Sequence, residues 1–323
     1  MIYGVFAILL NFISIALLVS LLSGVLMSIG FFLVRSRVDS FQPQTRRTLL
    51  WSIVLTPWLV GSIAASIALM SGTSFSLFPE SLPMLHWHHV DVFEVFSWHG
   101  LLLLMVTSVY ITGPGLHLLR TYNQFKKLRL LTQLGKEQSD KVYHLPSDKI
   151  VAFTGGYLSP RCFISHGILE RLSTQERMVL VEHELAHVDR KDPLKKCIFQ
   201  CLTANFPKSI RQELSSMMSL VIEQSADDCV THRINDRSLI AATLLKVNRL
   251  ILLDNHKLSE HDSTICHYGL NHVELRISNL LNVTTTSSRF PIFSVLSIVI
   301  VTGLFFAVSA DLLHHLIEFS LSH

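Results

Sequence analysis

Two histidines and a glutamate lie within one helical turn in the stretch His183-Glu184-Leu185-Ala186-His187. Residues four apart on a helix share a face, so both imidazoles could bind one metal ion. The glutamate beside the first histidine is placed to take a proton from a water molecule at that metal. The spacing therefore predicts a hydrolytic zinc site in which Glu184 is the general base.

A third protein ligand is needed, because a catalytic zinc site with two histidines is usually completed by one more side chain, often Glu. The downstream stretch Glu223-Gln-Ser-Ala-Asp227 offers Glu223 as that ligand. Asp227, one turn further on, could accept the second ring N–H of a ligating histidine. The alternative is a solvated helix face rich in His and Glu, which the downstream pair makes the weaker interpretation.

The composition points to a membrane protein. Only 16% of the 323 residues are charged, against about 25% in a typical soluble domain. Four runs carry no Asp, Glu, Lys or Arg, at 2–34, 48–79, 95–119 and 290–310. Each is long enough for the ~20 apolar residues that cross a bilayer. We expect transmembrane helices at about 5–31, 49–70, 99–119 and 290–310, with an outer loop at 71–98.

The first span could be a signal peptide, but it has no basic start and is longer than such a segment, so a retained helix is expected. Every Lys and Arg lies within 35–47 or 120–289. Basic residues in short loops favour the cytoplasmic side. Both termini are therefore expected outside and 120–289 in the cytoplasm. The net charge of +3 reflects this distribution of basic residues and indicates no nucleic-acid binding, so the expected partners are a protein substrate and membrane lipid.

The region 120–289 predicts a mainly helical α+β domain. A surface helix is expected at 121–141, and 152–165 predicts two strands around Gly155-Gly156. Ser173 and Glu176 form a capping box that starts the helix of the two histidines, which should end near Asp192-Pro193. Its core face is expected to contain Met178, Val181, Leu185 and Val188. Further helices are expected at about 210–232, 239–253 and 272–280.

These features resemble the penicillinase-regulator (antirepressor, β-lactam-receptor) type of membrane zinc metallopeptidase. The specific part is His183-Glu-Leu-Ala-His187-Val-Asp-Arg190-Lys-Asp192 with Glu223-x-x-Ala-Asp227. That family shares its zinc pattern with the CAAX prenyl endopeptidases and their bacterial heat-shock relatives. The resemblance implies Zn²⁺ on His183, His187 and Glu223, with Glu184 as base and Asp227 behind the ligands.

The resemblance further implies that Arg190 and Asp192 are structural, and that the strand pair offers an edge to an extended substrate. The receptor members carry a penicillin-binding sensor domain after the last span. Here only a short outer tail is expected within 290–323, so β-lactam sensing is not expected.

The group that stabilises the oxyanion is less well specified by the sequence. His272 ranks ahead of His232, His267 and Tyr157, although each histidine alone could be an ordinary surface residue. Histidines at 86–89, with His99, could sense a metal or protons, but an interfacial belt is the favoured interpretation.

We therefore expect a zinc-dependent endopeptidase in the bacterial cytoplasmic membrane that cuts a cytoplasmic or membrane protein, in signal transduction or regulation. A repressor, a membrane protein and the chain itself all remain open as substrates, and the oligomeric state is not indicated. The alternative is a signalling or partner-binding membrane protein with little or no proteolysis.

Overall fold

The computed structural model describes residues 1–38, 41–71, 92–96, 98–139, 141–256 and 263–281. The expected fourth span at 290–310 and the histidines at 86–89 lie outside these residues, and the side chain of His99 is not among those described.

Long apolar helices make up the N-terminal part of the described chain. They are α1 (Val5–Val38), α2 (Pro43–Ser71) and α3 (Trp98–Leu134). Among the described residues, two helices are long and apolar enough to cross a membrane, over Val5–Leu33 and Pro43–Leu69. The third contains a shorter apolar stretch, Leu103–Leu116. Two helices thus suggest membrane association, whereas the third and fourth spans remain predictions.

A small residue lets α1 and α2 pack closely, and polar side chains of each helix bond within their own helix. A Cβ atom on Gly61 would come within 2.3 Å of the Ala16 carbonyl oxygen, so only glycine permits this approach. Ser28 and Thr56 donate to the carbonyls of Gly24 and Ser52 one turn earlier, each at 2.7 Å. A helix in lipid must bond its polar groups internally, because no water is available there.

The third helix is longer than expected. It runs without a break to Leu134, so the separate surface helix predicted at 121–141 is wrong. The chain between Leu116 and Leu134 contains no glycine or proline, and Gly135 is the first such residue after it. Nothing in the local sequence therefore stops the helix earlier.

A four-stranded sheet follows α3, with the order β3-β4-β6-β5. Its strands are β3 (Lys136–Ser139), β4 (Val142–Leu145), β5 (Ala152–Gly155) and β6 (Arg161–Ser165), while β1 (Ile2–Tyr3) and β2 (Val92–Phe93) pair separately. The predicted strand pair is confirmed as β5 and β6, which are antiparallel. Gly156 turns the chain between them with φ of 101°, where a Cβ atom would meet the Ser159 carbonyl oxygen at 2.8 Å. β3 and β5 are the two edge strands of this sheet, and the side of β5 away from β6 is open in that it pairs with no other described strand.

Helices occupy the rest of the described chain. They are α4 (His166–Arg171), α5 (Thr174–Asp189), α6 (Asp192–Thr203), α7 (Lys208–Ile234), α8 (Arg237–His256) and α9 (Ser263–Leu281). The capping box of Ser173 and Glu176 is confirmed at the start of α5. That helix ends at Asp189, slightly earlier than predicted, because Lys191 adopts a left-handed conformation with φ of 52°.

One apolar core joins the first two helices to α6 and α7. Phe31 of α1 and Leu50 of α2 are buried together with Phe199 of α6 and Met218 and Ile222 of α7. Trp51 packs edge-on against Phe199, with ring centroids 5.4 Å apart. Glu223 directly follows Ile222, so the helix that carries the expected third ligand packs on the apolar N-terminal helices.

Candidate metal centre

Helix α5 presents His183, Glu184 and His187 toward α7. The two Nε2 atoms of His183 and His187 lie 3.3 Å apart, and their rings meet edge to face with centroids 4.9 Å apart. Both side chains are largely buried. Because the two histidines are four residues apart on one helix, their Nε2 atoms lie close enough to bind the same metal ion.

Helix α7 adds a carboxylate oxygen to this pair. Glu223 Oε2 lies 3.3 Å from His183 Nε2 and 3.7 Å from His187 Nε2. For a tetrahedral zinc ion with ligand distances of about 2.0–2.1 Å, neighbouring donor atoms are about 3.3–3.4 Å apart. Two nitrogens and one oxygen at these separations are compatible with a metal site and leave a fourth position for water or substrate.

The Nδ1 atom of each histidine faces its own carboxylate. His183 Nδ1 lies 3.1 Å from Asp227 Oδ1, and His187 Nδ1 lies 2.8 Å from Asp192 Oδ2. A proton on Nδ1, donated to the carboxylate, leaves Nε2 as the nitrogen with a free lone pair. Asp227 was expected in this place. Asp192 was expected to have a structural role, and its carboxylate in fact contacts the imidazole of the proposed ligand His187.

The close carboxylates and imidazoles shift one another's pKa values. Burial alone would lower the pKa of His183, but Asp227 and Glu223 raise it to about 10. Burial likewise opposes ionisation of Glu223, yet hydrogen bonds from the two histidines bring its pKa well below the usual range. The carboxylates thus favour a proton on the imidazole of His183, and a divalent cation would compete with protons for these groups.

Arg276 of α9 also reaches the cluster. Its guanidinium donates from Nε and Nη2 to the two oxygens of Asp227 at 2.8 and 2.7 Å. Nη1 lies 3.3 Å from Glu223 Oε2, and Nη2 lies 3.4 Å from His183 Nε2. The only signal for this role in the sequence was the position of Arg276, four residues after His272.

His272, one turn earlier on α9, contacts a residue of α7 outside the proposed ligand set. Its Nε2 is 3.0 Å from the hydroxyl oxygen of Ser216 on α7, and burial lowers its pKa. Of the two side chains that α9 offers, Arg276 contacts the candidate ligands directly. His272 as an oxyanion donor therefore remains a prediction.

Glu184 points to a different neighbour. Its carboxylate accepts a hydrogen bond from the hydroxyl of Thr154 on β5 at 2.8 Å. A cavity of about 180 Å³ opens beside Glu184, His183 and Glu223. It is lined mainly by apolar side chains, among them Val179, Leu180, Val230, Ile240, Leu244 and Val247. Thr154 was missed by the sequence analysis, which treated its strand only as an edge.

In comparisons with known proteins, one family model matches part of the chain. Residues 120–253 match the model of peptidase family M48, which is less than half of the chain but contains His183, His187 and Glu223. No curated protein and no solved structure matches the chain. The match supports a metallopeptidase domain and a zinc metallopeptidase family, but it does not confirm the penicillinase-regulator type that the sequence resembles.

Proposed function

We propose that this protein is an integral-membrane, zinc-dependent endopeptidase in which His183, His187 and Glu223 hold the metal. The observation that carries the proposal is the convergence of their donor atoms at 3.3–3.7 Å, next to Glu184 and inside the M48 match. This arrangement suits hydrolysis, since a purely structural zinc site is usually closed by four protein ligands.

Zinc bound in such a site would acidify a water molecule toward a pKa of about 7 and polarise the scissile carbonyl. Glu184 would remove the proton of the attacking water and pass it to the leaving amine nitrogen. Asp227 and Asp192 would keep the imidazoles of His183 and His187 turned with Nε2 inward. A substrate chain would lie extended along the open edge of β5, where main-chain hydrogen bonds are available.

The second candidate is a signalling or partner-binding protein with little or no proteolysis. It would bind a repressor or another membrane protein at the same surface without cutting it. The presence of Glu184 beside the ligands favours the enzyme, because a binding module has no need of a general base.

The two candidates differ in their response to metal. Full-length protein purified in detergent should contain about one zinc ion per chain and cleave fluorescein-labelled casein or itself. Dialysis against a chelator should abolish cleavage, and one equivalent of zinc should restore it. Mass spectrometry of the products would identify the cut bonds, and stoichiometric zinc without any cleavage would favour the binding protein.

The proposed location is the bacterial cytoplasmic membrane, with both termini outside and 120–289 in the cytoplasm. The distribution of Lys and Arg supports it, because none lies outside 35–47 and 120–289. The substrate, whether a repressor, a membrane protein or the chain itself, would then be cut at the inner face. We propose no direct contact with nucleic acid.

This topology predicts the behaviour of reporter fusions. Alkaline phosphatase, which needs the outer compartment, should be inactive when fused after Leu258 and active when fused after Leu85. A fluorescent protein that matures in the cytoplasm should give the opposite pattern and controls for expression. Phosphatase activity at the Leu258 junction would contradict both the topology and a cytoplasmic repressor as substrate.

A further inference from the structure

Thr154 connects the open edge strand to the side chain of Glu184. Its Oγ1 lies 2.8 Å from Glu184 Oε2 and 2.9 Å from the Glu184 carbonyl oxygen. The contact joins residues thirty positions apart, and it links β5 to the middle of α5. No other pair of hydrogen bonds among the described residues ties the edge strand to the candidate base.

The strand itself holds Thr154 in place. Alternate residues of a strand point to opposite faces, so Ala152 and Thr154 face α5 while Phe153 faces away. Phe153 stacks on Phe163 of β6 at 5.2 Å between ring centroids. Thr154 pairs in register with Cys162, a fully buried residue of β6. The hydroxyl is therefore presented to α5 from a packed strand rather than from a loop.

We propose that Thr154 is a positioning residue for the general base, an inference that rests on the proposed function. A free glutamate side chain rotates about three bonds, and a hydrogen bond at Oε2 restricts that rotation. Within the described part of the chain, Oε1 makes no hydrogen bond, so this oxygen is the one left to take the proton of water. The hydroxyl also fixes the base relative to the strand along which the substrate would lie.

A purely structural role would look different. A threonine hydroxyl has one hydrogen, so at any moment it donates either to the carboxylate or to the Glu184 carbonyl oxygen. If only the carbonyl bond mattered, losing the hydroxyl would change stability but not the chemical step. Thr203 offers the matched case, because among the described residues its buried hydroxyl bonds only the backbone oxygens of Phe199 and Gln200.

The first arm of the test measures turnover. Thr154→Val should keep one zinc per chain and lower kcat on labelled casein by about 10- to 100-fold, the loss expected for one hydrogen bond to a charged group. KM should change by less than about threefold, since substrate binding is not addressed. Thr154→Ser should restore most of kcat, and Thr203→Val should leave kcat unchanged. A Thr154→Val variant with wild-type kcat would overturn the proposal.

The second arm does not depend on activity. Melting temperatures of metal-free protein are measured for Thr154→Val, for Glu184→Ala and for the double variant. If the side chains interact, the losses should be non-additive by about 2–4 °C. Additive losses would overturn the proposal. Absence of any metal-dependent cleavage would instead overturn the proposed function, and the melting cycle would still decide whether Thr154 holds Glu184.

Discussion

Replacing Glu184 with glutamine should leave zinc binding intact and lower hydrolysis of casein or of the chain itself by about 10²- to 10⁴-fold. Glutamine has nearly the same shape, and its side chain can still bond Thr154, so the local packing is preserved. It cannot accept a proton from water at neutral pH. Because the proposed ligand atoms belong to other residues, the metal content should stay at one ion per chain.

Glu182 provides the matched control for this change. It lies on the same helix two residues earlier, where it pairs with Arg233 at the surface instead of facing the cluster. Glu182→Gln makes the same chemical substitution and should retain wild-type turnover, since exposed ion pairs contribute little to stability. Wild-type turnover in Glu184→Gln would remove the general base from the proposal and favour the partner-binding alternative.

Local sequence patterns predicted the local structure well. The capping box of Ser173 and Glu176 starts α5 because both of its hydrogen bonds are made within one turn. The same helix brings His183 and His187 together because their spacing matches its period. The antiparallel pair β5 and β6 followed from apolar runs around a glycine turn. Each of these features depends on residues close in sequence.

Contacts between distant segments could not be read in the same way. Arg276 and Thr154 reach the cluster from segments 49 residues after Asp227 and 30 residues before Glu184. Met178 was expected in the core but is half exposed, whereas Val179 and Leu180 are buried. Helix α5 packs against α7, α8 and the strands β5 and β6, so its buried surface is wider than one apolar stripe.

The apolar N-terminal helices were predicted from uncharged runs, but their connection to the site was not. The shared core of α1, α2, α6 and α7 means that Glu223 and Asp192 lie on helices packed against α1 and α2. Lys196 of α6 also reaches Glu223, with Nζ 3.5 Å from Oε1. Glu223 is thus held by the same packing that holds the apolar helices.

Removing any one of the three proposed ligands should abolish tight zinc binding. His183→Ala, His187→Ala and Glu223→Ala each leave two protein donors, whereas catalytic zinc sites use three. Asp192→Asn should act more weakly, lowering zinc affinity by about 10- to 100-fold, because it changes only the partner of His187 Nδ1. Zinc per chain after dialysis, measured by mass spectrometry of the metal, separates these two classes.

His166→Ala is the control for loss of a histidine as such. His166 is exposed and pairs with Glu170 2.9 Å away on α4, so its loss should leave the zinc content unchanged. Folding is checked by the helical circular dichroism of each variant, because Glu223→Ala also removes the contact with Arg276. Stoichiometric zinc in folded His187→Ala would contradict the ligand assignment, since the histidine pair on α5 is the part of the site on which every other role depends.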